Sequence, residues 1–131
     1  MNPTLEKTHL SFSEGILSVS FSENVVVEVD DVVYIYCYGI EHSKGKPYGI
    51  LFDTSSKHEF SEDAMDYFIN SNYLNNIIAI AYISKDLISK IRLNLLLIFE
   101  RPIVKPKLFT DETMAQQWLM EQVDSFSLVH N

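Results

Sequence analysis

Ile77-Ile78-Ala79-Ile80-Ala81-Tyr82-Ile83 is a seven-residue run with no charge, Gly or Pro, set between Asn75-Asn76 and Ser84-Lys85-Asp86. Its length and β-branched content predict a strand. Its alternating sets, Ile77/Ala79/Ala81/Ile83 and Ile78/Ile80/Tyr82, are both apolar, so the strand should be covered on both faces. The rest of the chain has to supply that cover.

Working outward, Tyr48 to Phe52 and a short Lys107 to Phe109 piece read as further strands. Toward the amino terminus, Ile16 to Phe21 and Val25 to Val29 read as a hairpin joined by Ser22-Glu23-Asn24, with Phe21 opposite Val25 and Val19 opposite Val27. Between these strands the sequence repeats one grammar: an apolar residue, a capping residue, an acid-bearing first turn, then an apolar residue. Val29-Asp30 leads to Tyr34, Phe60-Ser61 to Met65, Ile83-Ser84 to Ile88, and Phe109-Thr110 to Met114. Four helices are therefore expected. The order ββαβαβαβα implies crossovers and an α/β domain with a mostly parallel five-stranded sheet opened by a β-hairpin.

The 131 residues fit one domain, expected over residues 15–124 between a polar lead-in at 1–14 and a tail at 125–131. Apolar residues make up 47% and charged ones 21%, an ordinary globular balance. Ten basic against 18 acidic residues give a net charge of −8, which argues against nucleic acid. Cys37 is the single cysteine and is expected to be a buried thiol in a reducing compartment. No apolar run reaches the length of a membrane span and Met1 to Lys7 carry no signal core, so no stable membrane insertion and a cytoplasmic location are expected.

The stretches Asn24 to Asp31, Gly45 to Asp53, Asn94 to Pro102, Pro106 to Glu112 and Ala115 to Leu119 resemble small bacterial SpoIIAA-like proteins. These belong to the STAS superfamily of sulfate transporters and anti-sigma factor antagonists. The likeness runs from about Gly15 to Met120 and implies that fold, together with a habit of acting through protein contacts. Anti-sigma antagonists carry a phosphorylatable serine in an Asp-Ser-Ser-Gly motif after the third strand. In this sequence the loop reads Asp53-Thr54-Ser55-Ser56-Lys57-His58-Glu59-Phe60-Ser61, without that motif.

No residue constellation demands a particular chemistry. His9, His42, His58 and His130 stand apart, without metal-ligand spacing, and Gly39, Gly45 and Gly49 do not form a phosphate loop. No enzyme activity, metal or cofactor is expected. Asp53 ends a strand and, with Ser55, Ser56 and Ser61, precedes a helix amino terminus, which makes these four the candidate regulatory loop. The plainer alternatives are a turn carboxylate at Asp53 and a helix cap at Ser61.

The helices carry more information about partners. Val32, Val33, Tyr36, Cys37 and Ile40 make one face of the first helix, leaving Tyr34, Ile35 and Tyr38 elsewhere. In the third, Leu87, Ile88, Ile91, Leu95, Ile98 and Phe99 fill the sheet-facing side, and Leu93, Leu96 and Leu97 lie opposite. The last helix is one-sided, with Ala115, Trp118, Leu119 and Val123 apolar. Surplus apolar surface at Tyr34, Tyr38, Leu93, Leu96 and Leu97 calls for a partner, a ligand or cover from loops or the N-terminal segment. The expectation is a noncatalytic regulatory or protein-interaction module, self-associating as a homodimer or meeting another protein. The alternative is a carrier that encloses an apolar small molecule or lipid between the first and third helices.

Overall fold

The computed structural model describes residues 7–71, 75–84 and 105–130. The run that organises the sequence is strand β6 (Ile77–Ile83), and every residue in it is buried. It belongs to a mixed five-stranded sheet with β1 (Thr8–Ser13), β2 (Ile16–Phe21), β4 (Tyr48–Asp53) and β7 (Lys105–Phe109), in the order β1-β2-β4-β6-β7. β1 and β2 are antiparallel, and the pairs β2 with β4, β4 with β6 and β6 with β7 are parallel. Two short strands, β3 (Val25–Val27) and β5 (His58–Phe60), make a separate parallel ribbon. Helices α1 (Val29–Ser43), α2 (Glu62–Asn70) and α3 (Glu112–His130) complete the described residues. No helix among them is long and apolar enough to cross a membrane.

The α/β alternation is as expected, but the count of elements is not. Among the described residues there are seven strands in two sheets and three helices, rather than five strands and four helices. The expected third helix, which carries Leu93, Leu96 and Leu97, lies outside the described residues.

The opening hairpin is also shifted. Residues 8–13, read as part of a lead-in, form β1, and Phe21, Val19 and Leu17 stand opposite Thr8, Leu10 and Phe12 instead of Val25, Val27 and Val29. The turn explains it. Glu14 and Gly15 adopt φ 53° and 79°, so a two-residue turn with both residues left-handed closes the Ser13 and Ile16 pair. Ser22-Glu23-Asn24 instead leads the chain out of the sheet. Asn24 at φ 60° donates its N–H to the Lys57 carbonyl and the Lys57 N–H reaches the Glu23 carboxylate, which docks β3 beside β5.

One face of the main sheet packs Leu17, Val19, Phe21, Tyr48, Ile50, Phe52, Ile80 and Tyr82 under α1 and α2. The other packs Leu51, Ile78, Ala79, Ala81 and Ile83 against Ala115 and Leu119 of α3. Ile77 lies with the first set rather than with Ala79 as strict alternation requires. Tyr48 pairs with Ile77 but Gly49 with Ala79, so β6 carries a bulge at Ile78 that reverses the alternation.

The core face of α1 is rotated from the expected one. Val32, Ile35, Tyr36, Gly39 and Ser43 are buried, whereas Cys37 is exposed. These positions follow the i, i+3, i+4, i+7, i+11 spacing of a single stripe, one residue ahead of the sequence reading. Gly39 belongs there because the Tyr48 ring and hydroxyl occupy the space a Cβ would need. The helix also starts earlier than Asp30. Glu28 is the cap, and the Asp31 carboxylate accepts the Glu28 N–H at 2.8 Å in a capping box. Lys7 Nζ lies 2.8 Å from Asp31 and donates to the Val26 carbonyl, tying the start of β1 to the start of α1.

α2 is capped as expected, by Ser61 Oγ accepting the Ala64 N–H at 3.1 Å. For α3 the cap is Asp111 rather than Thr110, its carboxylate accepting the Thr113 N–H at 2.9 Å. The anticipated apolar partner of Phe109, Met114, is 60% exposed, and Phe109 instead faces Trp118 at 5.6 Å. The one-sided burial of α3 matches the sequence reading, and the helix runs on to His130 through residues read as a tail.

Candidate functional site

Two regions outside the core gather the residues singled out by the sequence. The first lies at the carboxyl end of the parallel strands. β4 delivers Asp53 there, and the next residue anchors the chain across the sheet: both the Thr54 N–H and its hydroxyl donate to the Ile83 carbonyl, at 2.9 and 2.6 Å. Asp53 Oδ1 accepts the Ser55 N–H at 3.0 Å and the Ser55 hydroxyl at 2.5 Å, a tight aspartate turn. Ser56 turns to His58, whose Nδ1 lies 3.0 Å from the Ser56 carbonyl. A carbonyl only accepts, so that nitrogen carries the proton. The His58 ring then leans on Phe21, with centroids 4.7 Å apart.

The four loop candidates therefore do not converge. Asp53 and Ser55 bond to each other, Ser56 faces His58, and the Ser61 hydroxyl is committed to the α2 cap. Asp53 instead borders an open groove of about 250 Å³ on the α3 side of the sheet, lined by His9, Ser11, Ser18, Ser20, Leu51 and Glu112, with Leu10 and Val19. His9, Ser20 and Asp53 stand in one row across β1, β2 and β4. Two carboxylates line the groove and no Lys or Arg does, so the site repels anions. Among the described residues no cluster of His, Cys, Asp or Glu could hold a metal ion.

The second region is the flank of α1 that lies over β1. Tyr34, Tyr38 and His42, spaced by four residues, form a continuous aromatic stripe. The Tyr38 and His42 rings stack at 3.8 Å, Tyr34 meets Tyr38 edge-on at 6.3 Å, and Phe12 of β1 comes within 6.3 Å of His42. His42 Nδ1 donates to the Tyr38 carbonyl at 2.9 Å and fixes the ring. Tyr34 and Tyr38 are half-buried, outside the stripe that meets the sheet. The sequence named both tyrosines. It missed His42 and the groove residues of β1, although Thr8-His9-Leu10-Ser11-Phe12-Ser13 alternates with a strict period of two.

Burial raises the Tyr48 hydroxyl pKa from 10.0 to about 12, with the electrostatic influence of nearby Cys37 adding to the shift. Burial alone pushes Tyr82 higher still. Both phenols stay protonated across the physiological range and serve the core rather than acid–base chemistry.

No curated protein matches the chain. Among solved structures it is similar to an uncharacterized protein of the DUF3478 family from Shewanella loihica PV-4, which has a SpoIIAA-like fold. The TM-score is 0.63 at 17% identity, covering 86% of this chain and 91% of that one. That likeness establishes the fold of this domain as SpoIIAA-like. Residues 10–123 match the family described as Domain of unknown function (DUF7793), a span from the middle of β1 to the last third of α3, and the chain belongs to that family.

Proposed function

We propose that this SpoIIAA-like domain is a noncatalytic, regulatory interaction module that works by self-association. The observation that carries the reading is the Tyr34, Tyr38 and His42 stripe. Three rings are ordered against one another on a helix flank outside the fully buried stripe, where Tyr34 and Tyr38 stay half-exposed although Tyr38 also packs against the core. Tyrosine on a rigid helix supplies large contact area at small entropic cost, which suits a protein contact better than a solvated surface. Leu93, Leu96 and Leu97, read from the sequence alone, are a second candidate surface.

Native mass spectrometry of the protein as purified from cells tests the reading. A dimer without adduct is expected. A monomer retaining an apolar small molecule would replace the interaction module with a ligand carrier. The regulatory part is tested by incubation with cell lysate and ATP followed by phosphosite mapping. Modification of Ser55 or Ser56 supports it, and no modification of Ser55, Ser56 or Ser61 removes it.

A further inference from the structure

The two edges of the main sheet are built differently. β7 carries Lys105, Pro106 and Lys107, the residue types that keep a sheet edge from pairing with another chain. β1 carries Thr-His-Leu-Ser-Phe-Ser over six residues, without a Lys, Arg, Asp or Glu, a proline or a bulge. An unguarded edge of that length is a template for another strand.

The ladder fixes which groups are on offer. The Ser22 N–H donates to the Lys7 carbonyl directly opposite, so Lys7 and Ser22 form a hydrogen-bonded pair. By alternation His9, Ser11 and Ser13 also turn their backbone groups toward β2, and Thr8, Leu10 and Phe12 turn theirs outward. Among the described residues no strand pairs with that outer side. The same three residues place their side chains on the α1 face, where Leu10 and Phe12 pack against the core, beneath the aromatic stripe.

We infer that the second copy docks on β1, antiparallel, with the two-fold axis at Leu10, so that two five-stranded sheets become one continuous sheet. This rests on the self-association proposed above and names its surface and register. Leu10 of one copy faces Leu10 of the other, and Thr8 faces Phe12 on either side, giving three pairs that exchange about six hydrogen bonds. His9 then faces Ser11, and Lys7 faces Ser13, so no like charges meet although each chain carries −8 overall. A two-fold axis perpendicular to the sheet leaves both α1 helices on the same side, flanking the junction with Tyr34, Tyr38 and His42.

Two measurements test the register. Leu10→Pro deletes an outward N–H that the β1 and β2 ladder does not use, so it should weaken the dimer at least about tenfold with the far-UV spectrum retained, whereas Leu10→Ala, which keeps the N–H, should remain dimeric. In a Cys37→Ser background, His9→Cys with Ser11→Cys should give a disulfide-linked dimer on mild oxidation, while His9→Cys with Ser13→Cys should not. If Leu10→Pro unfolds, the cross-link decides alone. A dimer that survives Leu10→Pro and fails to cross-link overturns this interface and leaves self-association through another surface. A monomeric parent overturns both.

Discussion

Gly39 and Tyr48 show how one contact can dictate two residues. A Cβ at position 39 would overlap the Tyr48 ring and hydroxyl, and Tyr48 is fully buried on β4 with little room to retreat. Gly39→Ala should therefore cost about 1–3 kcal/mol in urea unfolding, despite its better helix propensity. Among the described residues the Tyr48 hydroxyl has no hydrogen-bond partner, so Tyr48→Phe should be neutral or stabilising at pH 7. The same phenol makes stability depend on alkali. The folded protein holds its proton to about pH 12, whereas the unfolded chain releases it near the ordinary tyrosine value of 10.0. Between those limits the unfolded state binds fewer protons, so stability falls as pH rises, by about 1.4 kcal/mol per pH unit for each such tyrosine. Tyr82, shifted the same way, adds to the fall. Urea unfolding from pH 9 to 12 should show the decline, shallower in Tyr48→Phe, and a flat profile would refute the shift.

At the level of elements, capping chemistry is the part of the structure most readable from sequence. Ser61 caps α2 through the Ala64 N–H, and Ser61→Ala should cost about 1 kcal/mol, read by thermal unfolding with the fold unchanged. The same signals located the starts of α1 and α3 to within two residues, because an acid beside a helix start satisfies its free N–H groups wherever the exact cap falls. The burial of β6 was legible for a similar reason: nothing in Ile77 to Ile83 can face water at low cost. Its bulge was not, because an extra residue at Ile78 is fixed by the partner strand and leaves no mark in an all-apolar run. The displaced hairpin has a weak signal in the sequence. Glu14-Gly15 is a weaker turn pair than Asn-Gly, yet it closes β1 and β2, while Asn24 turns the chain away. The rotated face of α1 was hidden by its composition, since Val, Ile, Tyr and Cys on several sides give no polar stripe to orient it.

For the whole molecule, the alternation of strands and helices pointed to an α/β domain, and the resemblance of stretches such as Gly45 to Asp53 and Pro106 to Glu112 pointed to the SpoIIAA-like fold that the structural likeness establishes. The candidate site was only partly legible. Asp53 and Ser55 meet as neighbours in a turn, but Ser61 belongs to a cap, and the groove beside Asp53 draws on His9, Ser18 and Glu112 from distant parts of the chain. Tyr34 and Tyr38 were legible as surplus on a helix, but the contact of Phe12 on β1 with His42 at the end of their stripe was not. Self-association turns on the outer side of β1, with which no strand pairs among the described residues. Amide hydrogen exchange followed residue by residue in dilute and concentrated solutions tests it most directly. The amides of Thr8, Leu10 and Phe12 should exchange quickly when dilute and slow markedly as concentration rises, while Ser11 and Ser13, already bonded to β2, stay slow throughout. If Leu10 and Phe12 exchange quickly at every concentration in a sample that sediments as a dimer, the two copies meet elsewhere and the β1 interface is wrong.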